Sequence, residues 1–582
     1  MGEGDGMHSG AGRGFEDLGI EPGPVQAALD EAVARFGPRP AVDFLGRRWS
    51  FAEIGALVDR ATRGFQALGV RRGVRVGLCL PNTPYSVVCY FAVLKAGGTV
   101  VNFNPLYVER ELKHQVVDSG TTIMVTVDLN LIYPKVAALI GPGGLEKIVV
   151  CRLAAALPFP QRLLFPIVKR KEIAHPPQDA DHVPFERLIA SPGAAPVTID
   201  PGADVAVLQY TGGTTGVPKG AMLTHANLSA QSEQLRRVVP GARPGEERML
   251  MALPLFHCFA MAVGMLLAVR IGCEMILLPR FDLAQVIATI RKKKPTLFPG
   301  VPTIYTALNA AAAKGDVDFG SLRYCISGGA PLPAEVMREF EHRSGCRLVE
   351  GYGLTEASPV VAVNPLDLPG KPGSIGLPLE GTRIEIRAPE DGRPLPVGEK
   401  GEICVIGPQV MAGYWQRPEE TKDVFHGRAL RTGDIGYMDE DGYTFIVDRI
   451  KDVILCSGFN VYPRAIEEAL YQHPAVAEAI AIGIPDGYRG QAPKAFVKLK
   501  DGSTATPAEL AEFLTDYLSR IELPREIEIR TSLPKTMIGK LSKKELVAEE
   551  QAKADARLAA GGTETTGQDG ARPASGRGES RT

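Results

Sequence analysis

The chain has 582 residues, 45% of them hydrophobic and 23% charged, with a formal net charge of −2. A single core rarely grows past ~250–300 residues, so this length predicts more than one domain. The near-neutral balance leaves no footprint for nucleic acid, and nine cysteines without a Cys-x-x-Cys pair, beside nine histidines without His-Glu-x-x-His, argue against structural zinc or a disulfide framework.

Residues 1–22 are polar and glycine-rich, with no apolar run to form a secretory signal and with Gly6 breaking the myristoylation pattern; they read as a disordered tail, with Met7 as an alternative start. "VRVGLCL" (74–80) predicts a buried strand, "PNTP" a turn, and "YSVVCYFAVLKAG" a helix. The insert 152–178 mixes Leu, Phe and Ile with Arg and Lys. It suits a membrane surface, although its prolines interrupt an amphipathic helix and a solvated or packed insert fits as well. "VAVLQY" (205–210) is a strand that runs straight into "TGGTTGVPKG". The stretch Met261–Pro279 is interrupted by Arg270 and Glu274 and is too short for a membrane span.

Further on, "EMILLP" (274–279) is a strand, and Asp282 caps a helix through "LAQVIATIRKKK", whose Leu283, Val286, Ile287 and Ile290 share one face. "TLFPGVP" and "YCIS" (324–327) are strands and "AEVMREFEHRSG" is a helix ending at glycine. This alternation predicts an α/β fold of layered subdomains with largely parallel sheet. After residue 375, "TRIEIRAP", "GEICVIG" and "YTFIVDR" are short strands parted by Gly/Asp turns, which predicts an antiparallel β subdomain. The pattern from 450 to 548 predicts a small α+β domain: helix 463–473, strands 476–484 and 493–499, helix 507–520. Residues 549–582 read as a second disordered tail. The cysteines read as reduced core residues of a cytoplasmic protein.

Successive glycines let backbone N–H groups approach phosphate closely, and Thr hydroxyls and one lysine add to that after residue 210. The spacing fails the Walker A pattern, because Val217 and Pro218 separate Gly216 from Lys219. On composition, a plain Gly/Thr turn fits equally well. The full string "YTGGTTGVPKGAMLTH", however, resembles the phosphate-binding signature of the adenylate-forming enzymes: acyl- and aryl-CoA synthetases, luciferases and peptide-synthetase adenylation domains. "EGYGLTE" (350–356), "LRTGD" (430–434), "DRIKDVILCSGFNVYPRAIE" (448–467) and "LPKTMIGKLSKKEL" (533–546) follow in the family's order. The resemblance runs from about residue 23 to 548. It is strongest to bacterial long-chain fatty-acid–CoA ligases.

That resemblance implies a large N-terminal domain (23–449) and a mobile C-terminal domain (450–548). It implies ATP, CoA and a fatty acid as substrates, Mg²⁺ as cofactor, and cytoplasmic work with peripheral contact at the inner membrane face; a homodimer is compatible with it. Thr211, Gly212, Gly213, Thr214, Thr215, Gly216 and Lys219 would cradle the β- and γ-phosphates. Gly328, Gly329 and Ala330, within "SGGAPLP" (327–333), would wall the adenine together with Tyr352, and Glu350, Gly351, Gly353 and Thr355 would belong to the ATP/AMP site. Glu356 would take Mg²⁺, Asp434 the ribose hydroxyls, and Arg449 the ribose or phosphate region. Lys540 would neutralise charge during adenylation and Lys451 would be the hinge, while Lys543 and Lys544 stay solvated. Ser457, Gly458 and Phe459 would approach the thioester site.

"LPLFHCFAMAVG" (253–264) lacks the aspartate that amino-acid-activating relatives carry, so an apolar acid is expected. His257 would sit beside the acyl carboxylate, or be a packed core histidine. Acetate-specific relatives hold a tryptophan where this chain has Gly353; the glycine is expected to open the pocket, each buried CH₂ being worth ~0.8 kcal/mol. Val301, Ile304 and Tyr305 are the expected walls. A medium-chain or aryl acid–CoA ligase, an acyl-AMP ligase serving a carrier protein, and a catalytically silent nucleotide binder are the other readings.

Overall fold

Apolar runs of four to seven residues become central strands when both faces are covered by helices. The computed structural model describes residues 15–193, 195–211, 218–315, 317–486, 488–536 and 539–559. By their internal contacts they form two units, one of Met1–Lys451 together with Lys535–Leu541, the other of Asp452–Pro534 and the chain from Ser542 on.

The first unit holds two large sheets. In one, seven strands run in the order His182–Pro184, Lys147–Cys151, Ile123–Val127, Arg75–Cys79, Thr99–Asn102, Val205–Thr211, Lys219–Thr224. All its neighbours pair in parallel except the last two, which form an antiparallel hairpin. The other has nine strands, with parallel pairing from Leu348–Gly353 across Tyr324–Gly328, Leu297–Gly300, Arg248–Met251 and Glu274–Leu277 to Pro40–Phe44, and antiparallel edges. The expected β subdomain is an antiparallel sheet of Arg383–Arg387, Gly401–Ile406, Ala429–Met438 and Phe425–His426, with Thr444–Arg449 paired to the third. Helix signals read as expected: the Asp282 side chain accepts from Gln285 N–H, and Ala334–Ser344 ends on a left-handed Gly345. All nine cysteines are free and buried, and among the described residues no helix is long and apolar enough to cross a membrane.

Three boundaries differ from expectation. Residues 15–18 are helical, not a tail, because Phe15 and Leu18 are buried against Ala226 and Ala230. In the second unit the last helix runs Lys544–Ala559, past 548, since Leu546 is buried and Glu549 and Glu550 pair with Arg530 and Lys494. The helix expected over 507–520 stops at Leu514, the last residue of that stretch buried in the small core. Strands Val476–Asp486 and Gly490–Leu499 form the centre of this unit, with Glu526–Ile529 parallel to the second of them. The loop 535–541, expected in the small domain, groups with the first unit.

Candidate active site

The hairpin Val205–Thr211/Lys219–Thr224 sets Thr211 directly opposite Lys219. Gly212, Gly213, Thr214, Thr215 and Gly216 lie outside the described residues. The hairpin is held from both sides. Tyr210 Oη donates to Asp118 Oδ2 (2.6 Å), and Asp118 Oδ1 also binds Arg417 at 2.5 Å. On the other side, the segment Met411–Trp415 pairs with the exit strand: Trp415 N–H donates to Gly220 O (2.8 Å) and Met222 N–H to Gly413 O (2.8 Å). Asn227, on the helix that follows the hairpin, fixes this segment by donating to Pro408 O and Val410 O, both at 2.8 Å.

This clamp delivers Tyr414, which lies in "GPQVMAGYWQRPEET" (407–421), a stretch that shares the family likeness but assigns this residue no role. Its hydroxyl donates to Glu356 Oε1 at 2.7 Å, and the Lys219 ammonium lies 5.1 Å from its ring centre. Burial first and the Glu356 charge second push its phenol well above the usual range, so it stays a donor. Tyr414 and Glu356 are far apart in sequence, and no local spacing announces the pair. Among the described residues no group of three or more His, Cys, Asp or Glu could hold a metal ion. The Glu356 carboxylate has the chemistry to hold Mg²⁺ arriving with nucleotide, since that ion keeps its waters and takes one or two carboxylates plus phosphate oxygens.

The strand Leu348–Gly353 carries Tyr352, expected to join residues 327–333 at the adenine. Tyr352 Oη donates to Asp434 Oδ2 (2.5 Å), while Arg449 Nε lies 3.1 Å from Asp434 Oδ1 across the register pair Asp434–Arg449. Both Asp434 oxygens thus have a partner and still keep lone pairs for hydroxyl donors. Glu350 is buried, and Gly351 pairs with Gly328 of the neighbouring strand. Thr355 opens the 3₁₀ turn that carries Glu356.

Lys540 comes to the end of strand Tyr324–Gly328. Gly329 has φ +81°, and a Cβ there would meet Lys540 Cε at 2.5 Å and Nζ at 2.8 Å, so the lysine tip fills the space a side chain would need. Thr303 Oγ1 donates to Gly539 O (2.7 Å), which fixes the approach of the loop. Burial, with the charge of Arg449 adding, pushes the Lys540 ammonium down to about 8. Such a half-buried cation favours an incoming anion. His257 is pushed down to about 3, mainly by burial and then by Lys540. Its Nδ1 accepts from Phe259 N–H (3.2 Å), so the neutral ring carries its proton on Nε2. It precedes a buried π-helical stretch, Ala260–Leu266, a geometry found often at functional sites.

The acyl-pocket expectations need correction. A Cβ at Gly353 would fall on the Pro359 carbonyl oxygen, with Val360 Cα at 2.9 Å; the missing side chain is replaced by backbone, not by room for an alkyl chain. Tyr305 is fully buried and its hydroxyl donates to Phe298 O (2.7 Å) and Ile326 O (3.3 Å), which makes it a core strut. Val301 and Ile304 are buried, and Val301 Cγ2 lies 3.6 Å from where a Gly539 Cβ would be. A cleft of about 630 Å³ borders Tyr414, Met222 and Phe425, and none of His257, Val301, Ile304, Tyr305 and Gly353 lines it. We predict that Gly353→Ala lowers the unfolding midpoint, at a cost of about 1–3 kcal/mol for forcing a methyl into filled space. The profile of activity against acid chain length should keep its shape. A stable variant with a shifted profile would restore the open-pocket reading.

Lys451 lies in the 3₁₀ turn Ile450–Asp452, and the division between the units falls immediately after it. In the second unit, Ser457 (φ 53°) and Gly458 (φ 81°) form the two-residue turn between strands Ile454–Cys456 and Phe459–Val461. Phe459 is 63% exposed.

Comparison with known proteins follows the same lines. A family described as "AMP-binding enzyme" matches residues 29–415, and "AMP-binding enzyme C-terminal domain" matches 465–540. A long-chain-fatty-acid–CoA ligase of Bacillus subtilis is 42% identical over 538 residues, 90% of this chain and 94% of that protein. A feruloyl-CoA synthase of Amycolatopsis is 36% identical, covering 88% and 96%. Among solved structures, ATP-bound MatB from Rhodopseudomonas palustris superposes with a TM-score of 0.77 at 29% identity, covering 93% of this chain and 99% of that one. The anthranilate–CoA ligase AuaEII with anthranoyl-AMP gives a TM-score of 0.81 at 26% identity, over 93% and 99%.

Proposed function

The chain belongs to the AMP-binding, adenylate-forming enzyme family, and from that premise we propose that it joins a long-chain fatty acid to coenzyme A at the expense of ATP. The observation that carries the reading is the meeting of Lys540 with Gly329 in the unit that also holds Asp434, Tyr352, Arg449 and the Glu356–Tyr414 pair. The 42% identity to a long-chain ligase supports the choice of acid. Mg²⁺, held by Glu356 and phosphate oxygens, would offset charge on the triphosphate.

In the first step a carboxylate oxygen of the acid attacks the α-phosphorus. The bond from that phosphorus to the bridging oxygen breaks, and pyrophosphate leaves with the electron pair. Lys219 faces the phosphates and Asp434 receives the ribose hydroxyls. Lys540 supplies its charge where negative charge gathers. The neutral His257 ring offers Nε2–H to the acid. In the second step the CoA sulfur attacks the acyl carbonyl and AMP departs. This reading makes Lys451 the pivot that withdraws Lys540, and makes the Ser457–Phe459 turn the approach of the pantetheine arm.

Two tests follow. AMP release with ATP and Mg²⁺ is measured for saturated acids from acetate to stearate and for ferulate, with and without CoA. Release that needs CoA and peaks at long chains supports the reading; a peak at ferulate replaces the acid class, and adenylate that persists despite CoA points to a carrier-protein acceptor. Second, kcat/KM for ATP in the adenylation step should fall above about pH 8. Lys540 is charged below its lowered pKa of about 8 and loses the charge as pH rises through it, about tenfold per unit beyond. The corresponding limb of kcat should lie higher, because bound phosphate favours the ammonium.

A further inference from the structure

His257 makes its own hydrogen bonds locally. Its N–H donates to Pro254 O (3.0 Å), its carbonyl accepts from Met261 N–H (2.9 Å), and Nδ1 accepts from Phe259 N–H (3.2 Å). Two buried amides from other parts of the chain fasten the approach to it. Asn82, in the turn after strand Arg75–Cys79, donates to Leu253 O (2.8 Å) and Met251 O (3.3 Å) and accepts from Leu255 N–H (2.7 Å). Gln209 takes the next residue, donating from Nε2 to Phe256 O at 2.9 Å.

Gln209 is 5% exposed and stands on strand Val205–Thr211, two residues before the Thr211 that faces Lys219 across the hairpin. Its other end is fixed as well. Oε1 accepts from Asn102 Nδ2 (2.9 Å), Asn102 O accepts from Gln115 Nε2 (2.8 Å), and Asn102 Nδ2 lies 3.5 Å from Met261 Sδ. The amides therefore grip the chain on both sides of His257, at Phe256 and at Met261. A buried network held at both ends specifies one geometry, which a single donor capping a carbonyl would not. We propose that Gln209 is a positioning residue for adenylation. By fastening Phe256 to the strand that enters the phosphate hairpin, it keeps His257, and with it the acid carboxylate, in register with the nucleotide phosphates. Attack on phosphorus tolerates little misplacement of the incoming oxygen. The inference deepens the proposed function and rests on the role that reading gives His257.

Palmitate-dependent exchange of pyrophosphate into ATP, with Mg²⁺ and the full chain, tests it. Gln209→Met keeps the length of the side chain and removes both hydrogen bonds. Its kcat/KM for palmitate should fall by on the order of 10²-fold, mostly through KM, while KM for ATP stays parental. His257→Ala should lose a similar factor. The double variant should lose no more than about 10²-fold, where independent losses would multiply to about 10⁴-fold. Gln209→Glu keeps an oxygen for Asn102 and, once protonated, offers an O–H to Phe256 O. Its activity relative to the parent should rise as pH falls, at a temperature where both are folded. Losses that multiply, a KM for ATP that rises with that for palmitate, or a Gln209→Met enzyme of parental activity overturns the proposal. So does a His257→Ala enzyme of parental activity, since no acid contact is then left to position. Exchange by the parent reads the ligase proposal, and the ratio of variant to parent reads this one.

Discussion

In the Lys540→Ala variant, acyl-adenylate formation falls by about 10²–10³-fold, the usual cost of losing one donor aimed at a developing charge. Pyrophosphate exchange measures this step by itself. Thioester formation from supplied acyl-adenylate and CoA stays near wild type, because the second step does not use this ammonium. The variant should also be at least as stable as the parent. Burial lowers the folded pKa of Lys540 to about 8, below its ordinary value of 10.5. Keeping the charge therefore weighs against folding below about pH 8, and the penalty fades as pH rises toward 10.5. Loss of adenylation together with an unchanged or raised melting temperature separates chemistry from damage to the fold. A parallel loss of both half-reactions would show that Lys540 does not act in adenylation alone.

The largest expected effect on stability is in the second unit. Lys494 is 3% exposed and sits 2.9 Å from Glu526, 2.9 Å from Glu528 and 3.0 Å from Glu550. Its charge also lies 5.0 Å from the Phe496 ring centre. Burial opposes that charge, but the three carboxylates outweigh it and hold the ammonium well above its ordinary range. Lys494→Met removes the cation and leaves the acids facing one another. Breaking a buried pair this way costs about 3–5 kcal/mol, and the low end applies because Glu526 is half exposed. In the full chain this appears as an early denaturant transition. The deficit should shrink as pH falls toward about 4.5, where the abandoned carboxylates take up protons. Glu528 and Glu550 have lowered pKa values in the parent, so their contribution is present above the ordinary glutamate range and is lost as pH falls through the folded values. A single transition at the parental midpoint would show that the cluster holds nothing together.

Much of this architecture was legible because it rests on local rules. The apolar runs 75–79, 205–211 and 324–328 are buried strands, and Asp282 and Gly345 bound their helices as capping chemistry dictates. The ordered motifs also pointed to residues that meet in space, such as Tyr352 with Asp434 and Lys540 with Gly329. Contacts between distant segments were not legible. Tyr414 reaches Glu356 from a segment that Asn227 helps tie down at residues 408–410, and a side-chain-to-carbonyl bond leaves no periodic trace. Gly353 misled for the same reason: a missing side chain reads as space until the chain that occupies the space is seen. The reach of the last helix to Ala559 depended on Arg530 and Lys494, both well upstream of it.

The nine buried cysteines carry a practical consequence. Burial raises the thiols of Cys79 and Cys404 to about 12 and that of Cys273 well above its usual range, so little thiolate exists at neutral pH to react with maleimide. The wild-type chain is already a quiet background for site-directed labelling. A cysteine placed at an exposed position such as Phe459, paired with another on the large unit, would take up a fluorophore or spin label ahead of the buried native thiols. Interprobe distances could then be followed through a turnover in an enzyme that keeps its own core.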